Sequence, residues 1–102
     1  MRHGATSRLA SPEISDTVLF DDVWGRPRLS PRDRSLITVA SLISLYRVNQ
    51  LPFHLGKAPE NGVTREEIIE IVSHLAFHSG WPTASSALAI IQKAFEKADT
   101  ND

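Results

Sequence analysis

The 102-residue sequence contains no cysteine. Without a thiol, the chain can form no disulfide bond, supply no thiolate ligand to a metal ion and use no cysteine nucleophile. Every thiol peroxidase or disulfide reductase mechanism is therefore excluded. The absence of cysteine does not fix the compartment, and the cytoplasm is the default expectation.

An excess of basic charge, a long apolar run and a phosphate-binding loop are also missing. The formal net charge is -1, which gives no electrostatic footprint for nucleic acid. The uncharged, mainly apolar run at residues 35–46 is shorter than the roughly 18 apolar residues that cross a bilayer. Residues 1–10 lack the apolar core of a secretion signal. We therefore expect neither nucleic acid nor a membrane as a partner.

The element with the clearest limits is a helix predicted within residues 62–82. Thr64 can cap its start, and Glu67 three residues later completes a capping box. Gly80 and the following Pro82 are typical of a helix end. Apolar side chains between these signals recur at helical spacing and predict one buried face. They are Ile68, Ile71, Val72 and Leu75.

Three further helices are predicted around this element. Ser30 and Pro31 are a typical start for a helix that should run to about residue 47. A short helix is expected over residues 53–61, distorted or cut short by Pro59. The last helix is expected over residues 82–98, where small and apolar residues alternate at helical spacing.

No segment shows the alternation of a β-strand, so the predicted fold is all-α, with about four main helices in one domain. We expect this domain to occupy residues 12–98, after a mobile N-terminal tail of residues 1–11. The helix that contains residues 35–46 is apolar or small around nearly its whole circumference. A chain this short can hardly surround such a helix, so we expect a second subunit to cover part of it.

Two side chains in this helical frame are candidates for chemistry. His54 follows a possible helix start and can act as a general acid or base near neutral pH, or it can be a partly buried structural histidine. Arg34 leads into the uncharged run. Its guanidinium can clamp a substrate carboxylate through paired hydrogen bonds, or it can form an ordinary salt bridge.

Glu70, His74 and His78 are four residues apart, so they lie along one side of the central helix. Two histidines at this spacing can share a metal ion, as in HExxH sites, but the glutamate next to the first histidine is absent. A Glu–His pair on a solvated face, with a second histidine at its edge, is the favoured interpretation. No metal site is predicted.

Three segments of the sequence resemble the carboxymuconolactone decarboxylase family, over about residues 18–95. They are VLFDDVWGRPRLSPRDRSLITVASLISLYR, QLPFHLGKAPENGVTREEIIEI and HLAFHSGWPTASSAL. The markers are the WGRP loop, the Arg-Ser-Leu start of the apolar helix, His54 with NGVT seven residues later, and the Gly-Trp-Pro stop. Their order and spacing within one short domain carry the resemblance.

The resemblance implies an all-helical domain that assembles into a ring-like homo-oligomer, a trimer or hexamer. It also implies one of two activities. One is decarboxylation of 4-carboxymuconolactone in aromatic catabolism. The other is the thiol chemistry of the alkylhydroperoxidase D-like branch, whose cysteine positions fall on Arg47 and Gln50 and whose helix glutamate falls on Ser35. Thiol peroxidase activity is therefore excluded, and the chain resembles the decarboxylase branch.

For a decarboxylase, the resemblance implies a carboxy-lyase acting on a small carboxylated lactone or related organic acid. Arg34 would hold a substrate carboxylate. The departing carboxylate would lie in a dry pocket lined by Trp24, Phe53 and Trp81, where desolvation destabilises it relative to the transition state.

His54, helped by Gln50 or His78, would then deliver a proton to the carbanion-like product. No metal or organic cofactor is expected if the lactone itself accepts the electrons. The alternative from another functional class is a non-catalytic, oligomeric module for small-molecule binding or interaction. The two differ in whether Arg34, His54 and His78 converge on one enclosed pocket.

Overall fold

The computed structural model describes residues 17–100, and the regular structure in that range is helical throughout. A π-helical turn spans Thr17–Val23 and is followed by four α-helices. These are α1, Pro31–Ser44; α2, Leu51–Glu60; α3, Arg65–His78; and α4, Trp81–Thr100. The predicted all-α fold with four main helices is confirmed for this part of the chain. The predicted tail, residues 1–11, lies outside the described residues.

The chain divides between Pro31 and Arg32 into two compact units. In the N-terminal unit, the backbone N–H of Trp24 donates to the Leu19 carbonyl at 2.8 Å. The Trp24 ring lies 5.7 Å from that of Phe20, centroid to centroid. The C-terminal unit contains the four α-helices from Arg32 onward. The predicted domain limits, residues 12 and 98, stay a prediction.

The central helix α3 begins as its sequence predicts. The backbone N–H of Glu67 donates to Thr64 Oγ1 at 3.1 Å, and the N–H of Thr64 donates to Glu67 Oε1 at 2.9 Å. This reciprocal pair is a capping box, which satisfies two donors that a helix start otherwise leaves open. Glu67 also accepts a hydrogen bond from the guanidinium of Arg32. After α3, Gly80 has a φ of 104°, which a glycine adopts without steric cost.

Helix α1 ends at Ser44, so its predicted end at residue 47 is wrong by three residues. The backbone turns left-handed at Tyr46, whose φ is 58°. The N–H of Arg47 then donates to the Leu42 carbonyl at 2.8 Å, and the N–H of Tyr46 donates to the Ile43 carbonyl at 3.1 Å. These two bonds form a Schellman motif, which normally places glycine where Tyr46 stands.

Helix α2 begins at Leu51, two residues before its predicted start, and continues through Pro59 to Glu60. Because Pro59 is the next-to-last residue, its missing N–H removes a single bond from the end of the helix. A second Schellman motif closes the helix, with Gly62 at a φ of 91° and the N–H of Val63 bonded to the Ala58 carbonyl at 2.9 Å.

The core lies where α2 and α3 pack against α4, with α1 beside them. Small residues such as Ala84 and Ala87 on α4 are buried and allow close approach of the helices. The buried apolar residues are Val39, Ile43, Leu51, Leu55, Ala58, Val63, Ile68, Val72, Ala76, Ala84, Ala87 and Ile91. Within residues 17–100, no helix combines the length and apolar character that crossing a membrane requires.

Helix α1 is buried on one face and exposes apolar surface on another. It buries Ser35, Val39 and Ile43, and the Asn61 side chain donates to Ser35 Oγ at 2.8 Å, which satisfies the buried hydroxyl. Ile37 on α1, and Tyr46 after it, are more than half exposed. The expectation that a second subunit covers part of α1 stays a prediction, and this exposed surface is where such a subunit would pack.

Candidate functional site

His54 lies in the first turn of α2 and is half-buried. The adjacent Phe53 ring meets the imidazole edge to face, with 5.0 Å between ring centroids and 89° between planes. Burial lowers the pKa of His54 below its usual 6.5, and the positive charge of Lys57 one turn later lowers this pKa further. The imidazole is therefore mostly neutral at pH 7 in the free protein, and its protonated form is a stronger acid than an ordinary histidine.

Gln50 is the N-cap residue of α2, but its side chain makes no capping hydrogen bond. Instead it lines a surface recess of about 530 Å³ together with Arg47. The other lining residues are Leu42, Leu45, Tyr46, Val48 and Asn49. Because Gln50 is four residues before His54, the two side chains lie on the same side of the chain, one helical turn apart.

Arg34 lies on α1, half-buried, with its Nε atom in the protein interior. The neighbouring cation in the same turn, Arg32, forms an ion pair with Glu67 across to α3. The predicted role of Arg34 in holding a substrate carboxylate stays a prediction.

His78 is the last residue of α3 and is exposed. Its ring stacks on that of His74, with centroids 4.4 Å apart and planes 28° apart. His74 and Glu70 line a different groove, about 470 Å³ in volume, against Ile37 and other apolar residues of α1. Within residues 17–100, no group of three or more His, Cys, Asp or Glu side chains is placed to hold a metal ion.

The three aromatic residues predicted to line a dry pocket are found in different surroundings. Phe53 and Trp81 are 56% and 66% exposed in the single chain. Trp81 meets Phe77 edge to face at 5.5 Å, beside a recess of about 380 Å³ between α3 and α4. Trp24 belongs to the N-terminal unit. A pocket shared by Trp24, Phe53 and Trp81 stays a prediction.

The structure thus brings together Gln50, His54 and Phe53 at the start of α2. Gln50 and Trp81 line separate recesses, and neither recess is lined by His54 or His78. Lys57, which acts electrostatically on His54, was missed by sequence reasoning. The available signal was its position three residues after His54, which places the two side chains on one helix face.

Comparison with known proteins gives consistent matches. The model of the carboxymuconolactone decarboxylase family matches residues 11–93. The chain is 36% identical over 77 residues to 4-carboxymuconolactone decarboxylase of Acinetobacter baylyi, which covers 76% of this chain and 58% of that protein. It is 39% identical over 71 residues to nitrosuccinic acid decarboxylase npaB of Metarhizium robertsii, which covers 70% of this chain and 50% of that protein. The chain therefore spans between half and three-fifths of these relatives' lengths.

Proposed function

The chain belongs to the carboxymuconolactone decarboxylase family, and on that premise we propose that it is a cofactor-free carboxy-lyase acting on a small organic acid. The observation that carries the proposal is that both relatives are named as decarboxylases and match at least 70% of the chain. Their two named acids share a chemical property. Each contains a group, a lactone or a nitro group, that can accept the electron pair left when CO₂ departs.

The proposed step breaks the bond between the reacting carbon and its carboxylate. CO₂ leaves, the electron pair moves into the acceptor group of the substrate, and a proton from the His54 imidazolium ends on carbon. Solvent then returns one proton to His54, so the net reaction consumes one proton for each CO₂ released. Arg34 holds a carboxylate of the substrate, and Gln50 or His78 assists the proton transfer. Because the acceptor is part of the substrate, the step needs no metal or organic cofactor.

The surroundings of His54 suit a proton donor whose protonation is favoured by substrate binding. In the free protein, burial and Lys57 favour the neutral imidazole. A bound carboxylate beside the ring introduces negative charge, which raises the pKa of His54 and favours the imidazolium. The proton is therefore present when an acid is bound. The lowered starting pKa also makes its transfer to a carbanion-like carbon more favourable.

We predict that kcat/KM falls as pH rises through the lowered pKa of His54, below 6.5, because only the protonated ring can donate. The profile of kcat reports the substrate complex, in which the bound carboxylate raises this pKa, so its fall should come at higher pH. Rate measurements from about pH 5 to 9 check the fall of kcat/KM and the fall of kcat. Lys57→Gln removes one cause of the lowered pKa and should move the kcat/KM limb upward. A kcat/KM that rises through this range would contradict His54 as the proton donor.

We propose that the active form is a homo-oligomer, a trimer or hexamer. A dry site for the departing carboxylate requires cover, and Phe53 and Trp81 are each more than half exposed in the single chain. Leu45, Tyr46 and Phe77 are exposed to a similar or greater degree. Exposed large apolar side chains in this number are available for subunit contacts. A second copy would supply the missing cover.

The test combines light scattering with two assays on the purified chain. Loss of 4-carboxymuconolactone is followed by ultraviolet absorbance, and CO₂ release is measured from nitrosuccinate. We expect an oligomer that turns over at least one of the two acids, at a rate that a metal chelator does not change. An oligomer inactive on both would favour the non-catalytic binding module. A stable monomer would contradict the proposed cover.

A further inference from the structure

The surface beside His54 carries positive charge and no negative charge over a long stretch of sequence. Residues 46–59 contain Arg47, His54 and Lys57 but no Asp or Glu. The nearest acidic residue on α2 is Glu60, whose Oε1 lies 3.4 Å from Lys57 Nζ in an exposed ion pair. Such an exposed pair is weak and can be exchanged for a ligand carboxylate.

Backbone geometry places Gln50, His54 and Lys57 along one side of α2, and Arg47 lies in the turn that leads into this helix. The Arg47 carbonyl accepts from the N–H groups of Gln50 and Leu51 at 3.3 and 3.2 Å, so the chain already turns before the helix begins. At 3.6 residues per turn, Gln50, His54 and Lys57 then fall within roughly 60° of one another. The buried residues Leu51, Leu55 and Ala58 occupy the adjoining arc, which leaves the polar arc toward solvent.

Basic side chains that can bind anions lie at both ends of this arc. Arg47 and Gln50 line one recess, and the Gln50 side chain makes no capping hydrogen bond. Within residues 17–100, ion pairs engage Arg26, Arg32, Lys57 and Arg65, and Arg47 takes part in none of them. At the other end, Lys57 follows His54 by three residues on the same helix face, and its positive charge lowers the pKa of the imidazole.

We propose that Arg47, Gln50, His54 and Lys57 form a carboxylate stripe that selects acids with at least two carboxylates. Arg47 and Gln50 hold one carboxylate in their recess, and Lys57 attracts another, so the carbon between them lies beside His54. Arg47 and Lys57 are then specificity-determining residues, in addition to Arg34. The identity of the bound acid as a substrate rests on the proposed function, whereas the binding of polycarboxylates does not.

The spacing explains why one carboxylate is not enough. Gln50 and His54 are separated by about 6 Å along the helix axis, and Lys57 lies roughly 4.5 Å further on. One carboxylate therefore engages one end of the stripe. Single exposed ion pairs contribute little because water and salt screen them. An acid whose carboxylates are several ångströms apart engages both ends, and its second contact costs less entropy than its first.

The experiment follows the His54 ring signals by NMR while unreactive acids are added. The probes are butyrate, succinate and tricarballylate, with one, two and three carboxylates, and sulfate as a compact divalent anion. We expect affinity to increase with the number of carboxylates. Arg47→Gln and Lys57→Gln should each weaken tricarballylate binding about two- to fivefold, which is the loss of one exposed ion pair. Lys93→Gln, which removes an exposed lysine from α4, should leave binding unchanged.

Two further measurements distinguish specific carboxylate binding from general charge effects, and binding from catalytic turnover. Arg47→Lys keeps the charge but loses the two-pronged geometry, so it should recover only part of the affinity. Where a decarboxylation assay is positive, Arg47→Gln should raise KM with little change in kcat. Equal affinity for butyrate and tricarballylate, tighter binding of sulfate, or unchanged binding in both glutamine variants would each overturn the stripe. Polycarboxylate binding without turnover would instead refute the proposed function and leave the stripe standing.

Discussion

Replacement of His54 by alanine is expected to lower kcat for decarboxylation by about a hundred- to ten-thousand-fold, the usual contribution of a positioned general acid. The side chain is the proposed source of the proton that ends on carbon, and alanine has none to give. The fold should survive, because α2 is held in the core by Leu51, Leu55 and Ala58 rather than by His54. Steady-state kinetics measure the loss, while far-ultraviolet circular dichroism and light scattering confirm helix content and assembly.

The matched control is His74→Ala, which removes a histidine that is exposed on α3. Its activity should stay near that of the parent chain. Added imidazole should partly restore His54→Ala, because a free imidazolium can occupy the vacated volume and donate a proton; a purely structural role for His54 would not be rescued in this way. An equal loss in the two variants would contradict the assignment of His54 as proton donor and direct attention to α3.

Ile68→Ala is expected to lower the free energy of unfolding by about 2 to 5 kcal/mol. Ile68 is fully buried, with 0% exposure, in the core where α3 packs against α4. Its truncation removes buried methyl and methylene groups and leaves a cavity that the surrounding helices can only partly fill. For a domain of this size, each kcal/mol lowers the midpoint of thermal unfolding by roughly 4 to 8 °C. Urea and thermal unfolding measure the change.

The neighbouring residue supplies a control of identical chemistry. Ile69 is 38% exposed on the same helix. Ile69→Ala should therefore cost less than Ile68→Ala, since less of its side chain is removed from water and its loss leaves no enclosed cavity. Alanine also favours the helix slightly more than isoleucine at both positions, which cancels in the comparison. Similar losses in the two variants would mean that α3 is rotated about its axis relative to the structure described here.

A helix end can be predicted from the sequence when the residues that determine it lie within a few positions of it. The start and end of α3 depend on Thr64, Glu67 and Gly80, which act within a few residues of themselves, and both ends were predicted. The end of α1 was not, because it depends on a left-handed tyrosine. A non-glycine residue at a φ of 58° is uncommon, and no residue near Tyr46 in the sequence predicts this backbone conformation.

The candidate site divides in the same way. His54 could be singled out from its residue type and its place near a helix start, and its spacing from Gln50 and Lys57 could be counted. The depth of its burial and the recess lined by Arg47 depend on how the helices pack and on how α1 and α2 are joined, which the sequence pattern does not specify. Phe53 and Trp81 were expected to share a dry pocket; both are more than half exposed in the single chain, and the shared pocket stays a prediction.

The closure of the helix ends has a consequence for how the chain folds. The bonds that end α1, α2 and α3 join residues at most five positions apart, such as Arg47 to Leu42 and Ser79 to Leu75. These junctions can form before distant parts of the chain meet, so the loop-closure entropy opposing early folding is small. We expect folding within about microseconds to milliseconds, as in other helical domains with local contacts. In the oligomer that we propose, association would then be the slow step, with a rate that depends on the concentration of folded chains.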